Sequence, residues 1–256
     1  MAGLLLLVIA YNHNSNTIYN FSGQAYGTTW SISSSEYIAD NHKDEIKNII
    51  NKIDLIASNY KPESEISQIN INYSEYQFIS DDLFKILEIA KVVELSTDGY
   101  YNIMLGKISS TLGFAPDFGQ NTFQNKASTF DIDETNKSLK RYSKNWFDLS
   151  SIAKGYAVQE IHNYLISNNL MNHVIDIGGE IIINGNKDGI PWNIGIQNPL
   201  SSVDNAATTI SNKNNNFLAI ATSGEYRNFK LDEYGNKVTH TINPKTLSSI
   251  KNKILS

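Results

Sequence analysis

Trp146-Phe-Asp-Leu-Ser-Ser-Ile-Ala-Lys-Gly-Tyr-Ala-Val158 begins as a short apolar strand, Trp146–Leu149, with one carboxylate, Asp148, inside it. The chain turns on Ser150 and Ser151 and then takes helical spacing. Ile152, Ala153, Tyr156, Ala157, Ile161, Tyr164 and Leu165 fall on one stripe. A strand that turns through hydroxyls into a helix gathers free backbone N–H groups at one point. The helix dipole adds partial positive charge there, so the point favours a phosphate. Lys154 lies one turn in and is long enough to reach back to it. Gly155 inside the helix costs about 1 kcal/mol against Ala, a cost that a close backbone or ligand approach would explain. Two readings fit the stretch alone: an anion seat, or an ordinary capped helix of an α/β protein.

Downstream, Asn172–Ile177 reads as a buried strand. Strand, helix and strand in about 30 residues predict a βαβ unit with locally parallel strands. Asp176-Ile-Gly-Gly-Glu180 would then lie at the carboxyl end of a parallel strand, where open α/β sheets bind ligands. A plain tight turn fits it equally well. Gly-x-Gly-x-x-Gly is absent, which disfavours a nicotinamide Rossmann enzyme. Gly178-Gly-Glu180 and Ile181–Asn184 continue from the Asn172–Ile177 strand, Trp192–Gln197 and Phe217–Thr222 alternate like strands, and Tyr226–Leu231 with Val238–Ile242 reads as a hairpin. Thr222-Ser-Gly-Glu-Tyr-Arg227 is a second phosphate or oxyanion candidate. His240, alone between Thr239 and Thr241, is by its setting more often structural than catalytic.

Upstream, Ser138–Tyr142 is expected to pair with Trp146–Leu149. Ala115–Thr135, polar and carrying Pro116 and Gly119, reads as a long loop and as the hinge between two halves. Helices are predicted over Ser80–Ser96, with Ser80 as N-cap and Gly99 as stop, and over Asp40–Ser58. Pro62 bars continuation of the latter. A short apolar helical piece precedes Leu112, and Thr29–Ser33 alternates like a strand. Tyr60, Tyr100 and Tyr101 are core or loop aromatics by default, and their faces also suit stacking on a flat ring. The class is mixed α and β.

The 256 residues suffice for one large domain or two small ones. A net charge of −5 advertises no basic face, so nucleic acid is not an expected partner. There is no cysteine, which excludes disulfides, thiolate metal sites and thiol nucleophiles; any metal uses oxygen or imidazole ligands, as Mg²⁺ or Ca²⁺ does. Met1–Ala10 is an apolar run too short to span a bilayer as a helix, with the length of an export-signal core but no basic flank. Residues 1–20 are read as an export-signal remnant and polar linker, which leaves membrane association through the N-terminus open.

The sites are weak singly, but their order carries more. Tyr26-Gly-Thr-Thr-Trp30 comes first, then Ser58–Asn70 with Ser-Glu-Ile-Ser-x-x-Asn, and Gly99-Tyr-Tyr-Asn102. Asp148-Leu-Ser-Ser-Ile-Ala-Lys-Gly-Tyr-Ala-Val158, Asp176-Ile-Gly-Gly-Glu180, Ala221-Thr-Ser-Gly-Glu-Tyr-Arg-Asn228 and Thr239-His-Thr-Ile-Asn-Pro-Lys-Thr246 follow. Together, over about residues 23–250, they resemble the FAD:protein FMN transferase (ApbE-like) family.

The resemblance implies a mixed α/β (α+β), two-lobed fold with FAD between the lobes, in a single domain over 21–256. It implies Mg²⁺-dependent transfer of FMN from FAD to a Thr or Ser hydroxyl of a target flavoprotein, with release of AMP. The target is typically a redox-pump subunit at the outer, periplasmic face of the bacterial cytoplasmic membrane. Some members hydrolyse FAD to FMN and AMP instead. Carried over by position, Tyr26, Gly27, Thr28 and Tyr60 are expected to touch FAD. Tyr100, Tyr101 and Asn102 match the adenine-side contact, where Asn102 replaces a common Asp. Asp148 and Lys154 contact FAD, Ser151 contacts Mg²⁺, and His240 lies beside the flavin diphosphate. His240 is also the candidate base for the acceptor hydroxyl, since histidine titrates near neutrality.

The sequence departs from the family at its end. The family continues after the His-Thr-Ile-Asn-Pro segment with a helix whose Asp and Thr complete the Mg²⁺ site. Here the chain stops at Ser256, so the fold is expected to lack its C-terminal part and a non-catalytic FAD-binding remnant is a further alternative. Leu247 also stands where the family usually has Gly.

Overall fold

The computed structural model describes residues 17–117, 128–201, 205–213, 216–224 and 229–250. The Met1–Ala10 run, Glu225–Arg227 of the Thr222 motif and residues 251–256 lie outside them. The chain forms two compact units, one of residues up to Ile50 with Ala157–Thr222, the other of Asn51–Tyr156 with Ser223 onward. The segment 115–135 falls within the second of these ranges.

In the first unit, strands β1 (Tyr19–Ala25), β2 (Thr28–Ser34), β6 (His173–Ile177), β7 (Glu180–Asn184) and β10 (Phe217–Ala221) form one sheet in the order β1-β2-β6-β7-β10. Strands β6 and β7 lie at its centre and are apolar almost throughout, as strands covered on both faces must be. Val174, Ile181 and Ile183 pack with Trp192 on one face. Trp30, Ile32, Ile175, Ile177 and Ile182 are buried as well, and the register pairs Trp30 with Ile177 and Ile32 with Ile175. A separate hairpin joins β8 (Asn193–Gln197) to β9 (Ala206–Ser211).

The second unit is built on helices α2 (Glu65–Ile71), α3 (Asp81–Ser96) and α4 (Gly106–Thr111), with a small sheet ordered β3-β5-β4 from Tyr76–Phe78, Ser138–Arg141 and Phe130–Asp133. Two further hairpins join β11 (Phe229–Leu231) to β12 (Lys237–Thr239) and β13 (Ile242–Asn243) to β14 (Ser248–Ser249). Helices α1 (Asp40–Ala57) and α5 (Ala153–Ser167) begin in one residue range and end in the other. Ser80 caps α3 as predicted, accepting from the Leu83 amide. Gly99, at φ +73, ends it by donating its amide to Glu94 O. No helix among the described residues is long and apolar enough to cross a membrane.

The mixed α/β class holds, but three local expectations do not. All paired strands among the described residues are antiparallel, so there is no βαβ unit. Gly178 and Gly179, both at positive φ, form a two-residue turn that folds β6 straight back onto β7. Trp146–Leu149 joins no sheet, and its expected partner Ser138–Tyr142 supplies β5, which pairs with β3 and β4. Finally, Phe130–Asp133, read as loop, is strand β4: its Ile132 faces Leu139 and its Phe130 is buried.

Candidate functional site

Asp148 sits in an extended segment that behaves like a strand without a sheet. Its amide donates to Ile103 O at 2.6 Å, and Gly106 N donates to Trp146 O at 2.9 Å along the same edge. Phe147 and Leu149, both fully buried, anchor the segment in the core. The half-buried Asp148 side chain is held at both oxygens. Ser109 Oγ donates to Oδ2 at 2.7 Å, while Ser150 donates to Oδ1 from its amide at 3.0 Å and from its hydroxyl at 2.5 Å. The predicted anion seat therefore already carries a carboxylate: Asp148 takes the Ser150 amide at the entrance to α5. Leu149 O receives the first bonds of the turn, from Ile152 N and Ala153 N. Ser151 is exposed, and its Oγ lies 3.0 Å from the Tyr101 hydroxyl. Lys154 is half-buried on the first turn of α5.

The field of Asp148 reaches two tyrosines. Burial raises the Tyr60 phenol above its ordinary range and the negative charge of Asp148 adds to this. Burial and Asp148 likewise raise the Tyr101 phenol, against the opposing hydrogen bond from Ser151. Tyr60 is 65% exposed, and its hydroxyl donates to Phe114 O at 2.7 Å. Tyr60, Gly113, Phe114, Ala115 and Pro116 line an open cleft of about 330 Å³. The Phe114 ring meets the exposed His240 ring edge-on at 6.0 Å. Lys230 Nζ donates to Gly113 O and lies 5.6 Å from the Phe114 ring centroid. Thus Tyr60, Phe114 and His240 form one group, and Tyr101, Ser151, Asp148 and Ser109 another, with the charge of Asp148 acting on Tyr60.

Tyr100 is exposed, with Lys245 Nζ 3.7 Å over its ring. Asn102 is committed locally: it accepts from Met104 N and donates to Glu94 Oε1 and Ser128 O. Its carboxamide closes the turn that leads to α4. Tyr26, Gly27 and Thr28 belong to the first unit. Tyr26 and Gly27, at φ 52 and 70, make the two-residue turn between β1 and β2, and the Tyr26 hydroxyl donates to Ile50 O at 2.8 Å. Thr28 packs so closely on Gly178 that a Cβ there would lie 2.6 Å from Thr28 Cγ2. Thr222 N donates to Gly179 O, and Gly179 N to Asp176 Oδ1. The glycines of Asp176–Glu180 thus serve a tight turn and close backbone packing.

Ser109 and Phe114 belong to none of the sequence motifs, while Lys245 lies within the Thr239–Thr246 motif and Lys230 in the predicted hairpin strand without a role foreseen for either. Ser109 had one visible signal, a hydroxyl on the short predicted helix before Leu112. Phe114 comes into place through a turn that no local pattern announces.

The chain matches the ApbE family over residues 26–256. An FAD:protein FMN transferase of Vibrio cholerae is 30% identical over 267 residues, covering 98% of this chain and 79% of the relative. One of Haemophilus influenzae is 29% identical over 278 residues, covering 100% and 80%. Among solved structures, the flavin transferase ApbE from Vibrio cholerae superposes with a TM-score of 0.76 at 26% identity, covering 93% of this chain and 80% of that one. The ApbE protein of Thermotoga maritima, at 22% identity and a TM-score of 0.76, shares the fold. On the match that spans nearly the whole sequence, this chain belongs to the ApbE family.

Proposed function

We propose that this chain is an FAD:protein FMN transferase, which passes FMN from FAD to a Thr or Ser hydroxyl of a target flavoprotein and releases AMP. The observation that carries the reading is the Asp148 carboxylate. Both of its oxygens are fixed by Ser109 and Ser150, with Ser151 next in the turn and two raised tyrosines in its field. The names of relatives that align over almost the whole chain support the same reaction.

Phosphoryl transfer asks a protein for positioning and charge neutralisation more than for covalent help. The exposed Tyr60 offers a stacking surface for a flat ring of FAD, and the exposed Tyr100 ring carries Lys245 over one face. Lys154 brings a cation to the first turn of α5. His240 takes the proton of the acceptor hydroxyl as that oxygen bonds to the flavin-side phosphorus. The bond from this phosphorus to the bridging oxygen breaks, and AMP leaves with the electron pair.

A carboxylate beside a diphosphate calls for a counter-cation. Among the described residues no three His, Asp or Glu side chains gather into a metal cage. The hard oxygens of Ser151 and Asp148 nevertheless fit a Mg²⁺ that takes its remaining ligands from substrate oxygens and water. Such an ion supplies neutralisation of the diphosphate charge.

The reading extends to a redox-pump flavoprotein subunit as acceptor, at the periplasmic face of the cytoplasmic membrane. The apolar run Met1–Ala10 supports that location, and fractionation of expressing cells tests it. For the reaction, the protein is incubated with FAD, Mg²⁺ and a purified redox-pump flavoprotein domain. A covalently fluorescent acceptor band is expected. FMN released at the same rate without the acceptor would replace transfer by hydrolysis, and no turnover of FAD would sink both.

A further inference from the structure

The motif Ser64-Glu-Ile-Ser-x-x-Asn70 has a physical job that the reaction above does not use. Ser64 caps α2 by accepting from Ser67 N, and both Ser64 Oγ and Ser67 Oγ donate to Ser58 O. Glu65 reaches the next helix, accepting from Ser80 N and Ser80 Oγ. Asn59 lies just beyond α1, and Asn70 on α2. Both asparagines are buried, and both turn their carboxamides to the backbone on either side of Asp148.

Four hydrogen bonds make the connection. Asn70 accepts from Phe147 N at 2.7 Å and donates to Phe147 O at 2.9 Å. Asn59 donates to the same Phe147 O at 2.6 Å and accepts from Leu149 N at 3.0 Å. In an extended chain, successive backbone groups point to opposite edges. Phe147 and Leu149 present one edge to the two asparagines, while Trp146 O and Asp148 N present the other to Gly106 N and Ile103 O. A carboxamide carries the same donor and acceptor as a peptide group, so Asn59 and Asn70 stand in for a partner strand. This accounts for a segment patterned like a strand that joins no sheet.

We propose that Asn59 and Asn70 are positioning residues that set the register and tilt of Phe147–Leu149, and through it the placement of Asp148 and the Ser150–Ser151 turn. The proposal rests on the reading of Asp148 and Ser151 as FAD-site residues. Asn70→Asp separates it from mere packing. Aspartate is nearly isosteric, keeps the acceptor for Phe147 N and sets a second acceptor against Phe147 O. When protonated it regains a donor. Fluorescence titration of full-length Asn70→Asp with FAD is expected to show about tenfold weaker binding than wild type near pH 8, a gap that narrows on acidification towards pH 5. Without FAD, amide exchange in residues 145–152 is expected to speed up in the variant near pH 8. Ser67→Ala, which removes a bond from the same helix without touching Phe147, serves as the control for destabilisation.

Equal FAD affinity and equal exchange in Asn70→Asp and Ser67→Ala would overturn the positioning role. If Asn70→Asp does not fold, Asn59→Asp carries the same comparison, and failure of both to fold would leave a purely structural role and overturn the proposal. Faster exchange in a protein whose wild type binds no FAD would support the clamp while sinking the FAD reading. The two failures are thus distinguishable.

Discussion

Ser109 Oγ donates to Asp148 Oδ2 at 2.7 Å, from α4 across to the segment that leads into α5. The bond fixes one carboxylate oxygen from outside the turn, while Ser150 fixes the other from within it. An aspartate held in this way cannot swing to suit a ligand, so a ligand must fit it.

Ser109→Ala is therefore expected to lower the rate of FAD turnover by about tenfold, as the loss of one hydrogen bond to a charged group does. Its cost in stability should be no more than about 1–2 kcal/mol, because Asp148 keeps its bonds to Ser150. Turnover measured on folded protein, alongside a urea melt, checks both. An unchanged rate would remove Ser109 from the site.

Leu247 gives a prediction of the opposite sign. It sits at φ 56, in the turn between β13 and β14, and donates its amide to Asn243 O at 2.7 Å. A side chain in the left-handed region costs about 1 kcal/mol or more that glycine avoids. Leu247→Gly is expected to raise stability by about 1 kcal/mol, and a urea melt showing a loss would contradict the strain.

The buried pair His162 and His173, with Nδ1 and Nε2 3.0 Å apart, predicts acid sensitivity. Burial holds His173 down to about 4, with His162 lowered as well by its own burial. An unfolded histidine takes a proton near its ordinary value of about 6.5. Stability is thus fully present above about pH 6.5 and falls as the pH drops towards 4, because the unfolded chain binds the proton first. The His173 contribution to that fall is at most about 3 kcal/mol. Urea midpoints of His173→Gln against wild type, taken between these limits, should show a flatter dependence in the variant. Parallel curves would contradict the buried neutral pair.

The sequence spoke most clearly where local chemistry decides the outcome. Ser80 with the apolar spacing behind it, and Gly99 after it, define α3 at both ends. Strand β6 was legible as a buried strand, whereas β7 read as its continuation. Strand-helix-strand order suggests parallel pairing, but Gly178-Gly179, at two positive φ angles, makes a hairpin instead. For Trp146–Leu149 the apolar pattern reports burial, whereas sheet membership depends on who occupies the edges. Here those occupants, Asn59 and Asn70, lie far upstream. Within the site, the ordered motifs pointed to Asp148, Ser151, Tyr101, Tyr60 and His240. Phe114 and Ser109, which link or hold them, belong to no motif.

Transfer and cleavage of FAD differ in where the flavin ends, so the stoichiometry of the products separates them. With FAD, Mg²⁺ and a redox-pump flavoprotein domain, AMP by chromatography and covalent flavin by intact mass are counted in the same reaction. Equal amounts of the two are expected, with covalent flavin lost when His240→Ala replaces the wild type. AMP formed in full with no flavin on the acceptor would rule out transfer.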